Sequence, residues 1–196
     1  MGMVRVFRMD RSNGNLLSIY DPSYRVEARV EIEDLLSMVH APAEAVEPEL
    51  GDTAVLQTSE PSRKVVARLS YLHRIAPDPF EFTRIWVPAD RWCRSELGEI
   101  VDLVSEAGER IEDGETWKIV LQRTESPIEN IGRLIDTLSH CVLKPSPDMM
   151  APQRVVYIHV IGEETSVSLL RPEEILRIPP RVPTIWMDDS REVAVG

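Results

Sequence analysis

The residues best placed to do chemistry in this chain are basic and lie along one predicted strand. Lys118 and Arg123 belong to ETWKIVLQR, residues 115–123, where Trp117, Ile119 and Leu121 alternate against Lys118 and Gln122. Ser126 follows shortly, with Pro127 next and Glu129 three residues after the serine. That is the pattern of a capping box with a helix-start proline, so a helix is expected from Pro127. Free N–H groups and the positive dipole end at such a start favour an anion, and Arg123 and Lys118 would add charge. The chemistry this predicts is phosphate contact, although Ser126 and Glu129 themselves occupy part of the helix start.

Catalytic patterns are missing. No Gly-x-Gly-x-x-Gly, Gly-Lys-Ser/Thr loop or Gly-x-Ser-x-Gly elbow occurs, and the nine glycines are scattered singly. His140-Cys141 resembles a base beside a thiol, but adjacent helical residues point about 100° apart and do not face each other. His159 sits in an alternating strand with no second ligand at metal spacing, so a core histidine is expected. Asp188-Asp189 in the tail reads as a solvated acidic pair. Cys93 and Cys141 belong to no Cys-x-x-Cys pair, which argues against a zinc ribbon and a disulfide scaffold and predicts two buried, reduced thiols. No paired carboxylates suggest acid–base work. The expectation is a protein without catalytic residues, metal or cofactor.

The elements that must position the basic residues fall into two sets. MVRVFRM near the start and NLLSIYDP at 15–22 read as short strands, and a helix from Tyr24 to about His40 carries Ala28, Ile32, Leu35, Leu36 and Val39 at helical spacing. Glu27, Glu31, Glu33 and Asp34 fall mostly on its other side. A weak strand near Ala45-Val46, the strand DTAVLQTSE, a helix N-capped by Ser59 with Pro61 near its first position, and FEFTRIWVP complete the order strand, helix, strand, strand, helix, strand. A second set follows: a helix over 95–111, the strand ETWKIVLQR, the helix from Pro127, a KPSPDMMAP loop, and strands RVVYIHVIG and TSVSLLRP around a Gly162-Glu163-Glu164 turn. The expected division is 1–89, 90–178 and a proline-rich, irregular tail at 179–196 in which Trp186 straps the chain to the surface.

The 196 residues suffice for a sizeable core. The N-terminus carries charges where a signal peptide needs an apolar run, and no stretch approaches the roughly 20 apolar residues of a membrane span, so a cytoplasmic protein with no membrane partner is expected. The net charge of −11 points away from nucleic acid when taken whole. Its distribution is uneven. Residues 25–60 hold two basic and nine acidic side chains, a net of −7, whereas 61–94 hold seven basic (Arg63, Lys64, Arg68, Arg74, Arg84, Arg91, Arg94) and three acidic, a net of +4. A local basic surface can lie inside an acidic total.

From about Trp92 to Leu176 the helix, ETWKIVLQR, the helix from Pro127, the SPD loop at 146–148, the paired strands and SVSLLRPEEIL resemble a THUMP domain, the RNA-binding module of several tRNA-modifying enzymes. The first half is similar to the ferredoxin-like domain that precedes THUMP, and RIWVPAD resembles the Arg-x-x-x-Pro linker strand between them. The expected fold class is therefore α+β, an N-terminal ferredoxin-like domain followed by a THUMP α/β domain. A pair without a catalytic domain resembles the standalone adaptors that assist a separate acetyltransferase in making N4-acetylcytidine in tRNA.

The resemblance implies a grip on the acceptor region of tRNA by shape and backbone, with no DNA partner. Lys118 and Arg123 match the family's basic strand and Arg84 its linker arginine. Arg68, Arg74 and Lys144 are added as further contacts, Arg68 and Arg74 from charge clustering. The chain departs from the family in its acidity and in Thr124, where more basic charge would follow Arg123. The rival reading is a protein-interaction module that uses an acidic face and has little RNA affinity.

Overall fold

The computed structural model describes residues 14–46, 50–128 and 130–179, and residues 192–195 as backbone. The expected strand at 3–9, Glu129, Trp186 and Asp188-Asp189 lie outside the described residues. β1 (Leu16–Tyr20) stops at Asp21-Pro22, where the Asp21 carboxylate accepts the Ser23 N–H at 3.0 Å and opens a 3-10 turn into α1 (Arg25–Met38). β2 (Ala43–Ala45), β3 (Thr53–Thr58), α2 (Ser62–Ile75) and β4 (Thr83–Pro88) complete the first set. These strands order as β2-β3-β1-β4 with every neighbour antiparallel, the split βαβ arrangement.

The second set is β5 (Arg91–Arg94), α3 (Leu97–Glu109), β6 (Trp117–Thr124), α4 (Ile131–Ser139), β7 (Arg154–Ile161), β8 (Glu164–Leu170), β9 (Leu176–Arg177) and β10 (Glu192–Val195). Its sheet runs β10-β6-β7-β8-β5, parallel only between β6 and β7. Three of these strands depart from the sequence reading. β5 was not expected; it pairs with β8 as soon as the chain leaves the first sheet. β9 crosses back and pairs with β4, setting Trp86 opposite Leu176 and Ile85 opposite Arg177. β10 gives the tail a regular element on the edge of β6.

Helix starts differ as well. α2 begins at Ser62 with Pro61 as its N-cap residue, so Ser59 does not cap it. Glu125 takes a left-handed φ of 49°, Ser126 accepts the Ile128 N–H at 3.2 Å, and α4 starts at Ile131. There Asn130 Oδ1 accepts the Arg133 N–H at 2.9 Å, so asparagine is the cap in place of serine.

The two sheets stack face to face. α1 and α2 cover the outer face of the first, where Leu16, Leu35, Leu69 and Trp86 are buried, and α3 and α4 cover the outer face of the second over Ile100, Ile119, Leu134 and Ile158. Between the sheets lies a third apolar layer with Leu17, Ile19, Val55 and Val87 from one side and Val120, Val155, Ile161 and Leu170 from the other. Each such side chain contributes about 1.5–3 kcal/mol when fully buried, so this layer fixes the orientation of the two sets, which the short covalent link at Ala89-Asp90 by itself would leave open. Two glycines allow the close approach. Gly51 (φ 51°) and Gly162 (φ 57°) sit where an added Cβ would lie 2.8 Å from Thr124 Cγ2 and 2.6 Å from Leu50 Cδ1.

Polar groups in this dry region are tied together. Thr124 Oγ1 donates to Asp52 Oδ1 at 2.7 Å and lies 3.1 Å from His159 Nε2, with Thr53 Oγ1 2.9 Å from Thr124. Since the Thr124 proton goes to Asp52, Nε2 carries the ring proton and donates to Thr124. Burial pushes the His159 pKa down to about 3 against a weaker opposing pull from Asp52, so the ring stays neutral. At the rim, Arg63 donates to both Asp90 oxygens (2.6 and 2.7 Å) and to the Leu169 carbonyl, and pairs with Glu174 at 3.1 Å.

Glu31 is buried, not on the solvent side of α1 as its spacing suggested. Its carboxylate accepts the N–H groups of Glu81, Phe82 and Thr83 and the Thr83 hydroxyl, all within 2.9 Å. Glu31→Gln points an amide donor at those N–H groups and is expected to lower unfolding free energy by about 3 kcal/mol, read by urea denaturation. For His159, the unfolded chain takes a proton near pH 6.5 that the folded chain refuses until about pH 3. Its share of stability is therefore complete above pH 6.5 and falls by about 1.4 kcal/mol per pH unit below it. Urea midpoints at pH 7.5 and 5 are expected to drop less in His159→Gln than in the wild-type protein.

Candidate nucleic-acid interface

Strand period 2 decides which basic residues can act together. On β6, Trp117, Ile119 and Leu121 face the helices, whereas Val120 belongs to the layer between the sheets. Lys118 shares the face of Val120. Arg123, five residues on, has the opposite parity and shares the face of Trp117 and Leu121. Lys118 and Arg123 therefore do not form one patch. With α4 beginning at Ile131, the phosphate site expected from Arg123 and a helix start at Ser126 is not assembled either.

Lys118 instead opens into a cleft of about 900 Å³ along the border of the two sheets. From α2 come Tyr71 and Arg74, from β6 Lys118, from the loop before β7 Met150, and from β9 Arg177. Arg74 and Tyr71 stand at i and i−3 on the helix, and the guanidinium carbon lies 5.3 Å from the ring centroid. Tyr71 is 57% exposed and Met150 92% exposed. Three cations, an open aromatic ring and a floor of Val120 and Val155 line the same space, with Glu173 as the acidic residue among the lining. Such a surface can hold phosphates by charge and bases by stacking.

The other predicted residues are placed elsewhere. Arg68 pairs with Glu60 at 2.8 Å, and Lys144 with Asp113 at 2.7 Å. Arg84 sits at an irregularity between β1 and β4 and turns back to donate to the carbonyls of Glu81 and Thr83. Arg123 makes no ion pair among the described residues. The structure thus unites Arg74 and Lys118 and adds Arg177, Tyr71 and Met150. The i, i+3 spacing of Tyr71 and Arg74 was readable in the sequence; Arg177 arrives only because β9 crosses back.

The groups that resembled catalytic ones are otherwise engaged. Cys141 Sγ donates to the Thr137 carbonyl, whereas His140 Nδ1 lies 2.7 Å from the Asp136 carbonyl. Both thiols are partly rather than fully buried. Burial, with Glu99 nearby, pushes Cys93 up to about 11, and burial raises Cys141 too, so neither is a ready thiolate. Among the described residues no cluster of His, Cys, Asp and Glu is arranged to hold a metal ion, and no helix is long and apolar enough to cross a membrane.

No family model and no curated protein matches the sequence. Among solved structures the chain is similar to PH1313 from Pyrococcus horikoshii Ot3, at 10% identity and a TM-score of 0.58, over 84% of this chain and 55% of that one. It is also similar to a 4-thiouridine synthetase solved as an RNA complex with bound ATP, at 10% identity and a TM-score of 0.50, over 84% and 42%. TrmN from Thermus thermophilus aligns at 14% identity and a TM-score of 0.48, over 81% and 46%. The chain spans about half the length of these structures. At such identities the likeness is one of fold, and the fold is the α+β, THUMP-like architecture that the sequence resembles.

Proposed function

We propose that the chain is a non-catalytic tRNA-binding adaptor that presents the acceptor region of tRNA to a separate modifying enzyme. The observation that carries this reading is the border cleft, where Arg74, Lys118 and Arg177 converge beside Tyr71 in a protein whose net charge is −11. Cations gathered in one cleft of an acidic molecule concentrate positive potential there, which suits a polyanion. Fold likeness to an enzyme solved with RNA supports the same ligand class. The partner enzyme, a tRNA acetyltransferase forming N4-acetylcytidine, rests on the resemblance of the paired domains to standalone THUMP adaptors.

A second reading, docking to a protein through an acidic face, is favoured by a groove along the outer side of α1. Val26, Val30 and Met38 are about half or more exposed there, and Glu27, Asp34 and Glu81 rim them with no Lys or Arg in the lining. The two readings are compatible: the cleft would take RNA and the groove a basic, apolar segment of the enzyme.

Filter-binding titration against total tRNA, at about 50 and 200 mM salt, tests the RNA reading. The expected result is salt-sensitive binding that Lys118→Glu and Arg74→Glu each weaken about tenfold, with duplex DNA of equal length binding less. Arg123→Glu, on the opposite face of β6, is expected to bind within about twofold of wild type, because it lies outside the cleft. Loss of binding in Arg123→Glu alone would move the interface to the helical face. No binding at low salt would leave the protein-docking reading.

A further inference from the structure

A second basic cavity stands behind the cleft, and the sequence reading assigned it nothing. It has a volume of about 410 Å³, and Arg63, Arg91, Arg110 and Arg154 line it together with Asp90 and Glu174. The arginines come from four elements: α2, β5, the C-terminal end of α3, and β7. Convergence from four separate elements is a tertiary arrangement, not a charge run along one solvated helix.

The carboxylates in the lining are both committed to Arg63, which pairs with Asp90 and Glu174. Arg91 is held through Nη1 by Glu106, and Arg154 through Nε by Glu115. Each is thus oriented along one edge, and its remaining N–H groups have no hydrogen bond among the described residues. Arg110 is exposed, and its side chain has no hydrogen bond or ion pair among them. Planar guanidinium forks fixed on one edge and open on the other match the oxygens of a phosphate.

The two cavities are neighbours. Glu173 lines the cleft and Glu174 the arginine cavity; Val155 lines the cleft and Arg154 the cavity. Because Arg154 and Val155 are consecutive at the start of β7, they point to opposite faces of its sheet, so the cavity lies round the end of that strand from the cleft. The short turn Pro172–Glu174 borders both cavities. We infer that Arg91, Arg110 and Arg154 form a phosphate-binding pocket that takes a backbone phosphate of the same RNA strand after it leaves the cleft and passes over this turn. This rests on the RNA reading of the cleft. It also uses the basic excess of residues 61–94: Arg74 serves the cleft, Arg91 the pocket, and Arg63 fixes the wall between them.

The test is tRNA binding by the full chain across 50–200 mM salt, with Arg110→Gln and Arg110→Glu beside Arg74→Glu, and melting curves to establish that each variant folds. The expected result is a fivefold to tenfold loss of affinity for Arg110→Glu and, for Arg110→Gln, a log K against log salt slope shallower by about 1. If Arg74→Glu weakens binding and both Arg110 variants match wild type, the pocket is overturned and the cleft stands. If wild type does not bind tRNA, the RNA reading fails, and the track with it. Thermal shift with inorganic phosphate then decides the pocket alone. Stabilisation of wild type but not of Arg110→Gln retains an anion site, and no difference removes it.

Discussion

Stacking of one sheet on the other is the interaction on which the rest of this structure depends. Leu17, Val55 and Val87 meet Val155, Ile161 and Leu170 in a dry layer, and the helices are left to cover the two outer faces. Once that layer forms, any polar group inside it needs a partner. Asp52, Thr53, Thr124 and His159 Nε2 supply one another across the boundary, which fixes the relative setting of the sheets. Gly51 and Gly162 suit the same approach: both take a left-handed φ, and a Cβ there would press on the Thr124 and Leu50 side chains.

Arg63 works at the edge of this layer. It bridges α2, the link at Asp90, the Leu169 carbonyl and Glu174, so the first helical residues of α2 are tied to the second sheet. Ser168 reinforces the link by donating to the Pro88 carbonyl and accepting the Asp90 N–H. The border cleft exists because these ties hold α2 alongside β6 and the returning β9. The basic surface is therefore a property of the junction and belongs to neither half alone.

Charge has a similar logic. Of the basic side chains in 61–94, Arg68, Arg84 and Arg94 are occupied by Glu60, by backbone carbonyls, and by Glu96 with Glu99. Local pairing offsets much of their charge, and exposed pairs of this kind add little stability. Pairing does the same for the charge of Arg91 with Glu106 and of Arg154 with Glu115, although these two arginines keep open N–H groups as donors. Arg74 stacks on an aromatic ring, which orients its charge without neutralising it. An acidic protein can thus present one positive cleft while an apolar groove on α1 is rimmed by Glu27, Asp34 and Glu81.

The sequence by itself determined the α+β class, the order of the first six elements, the basic character of 61–94 and the lack of familiar catalytic patterns. Those features are local: helical spacing, strand alternation and proline punctuation act within a few residues. Strand parity also lay open to reading, and the odd separation of Lys118 and Arg123 was enough to put them on opposite faces. The near-continuous apolar run of RVVYIHVIG carried a sign of burial on both faces, but not what would cover the second face. Only the tertiary structure decided that. The return of β9, which brings Arg177 to Lys118, depends on contacts between residues far apart in the chain. So does the convergence of four arginines behind the cleft, because contacts at that separation leave no periodic trace in the sequence.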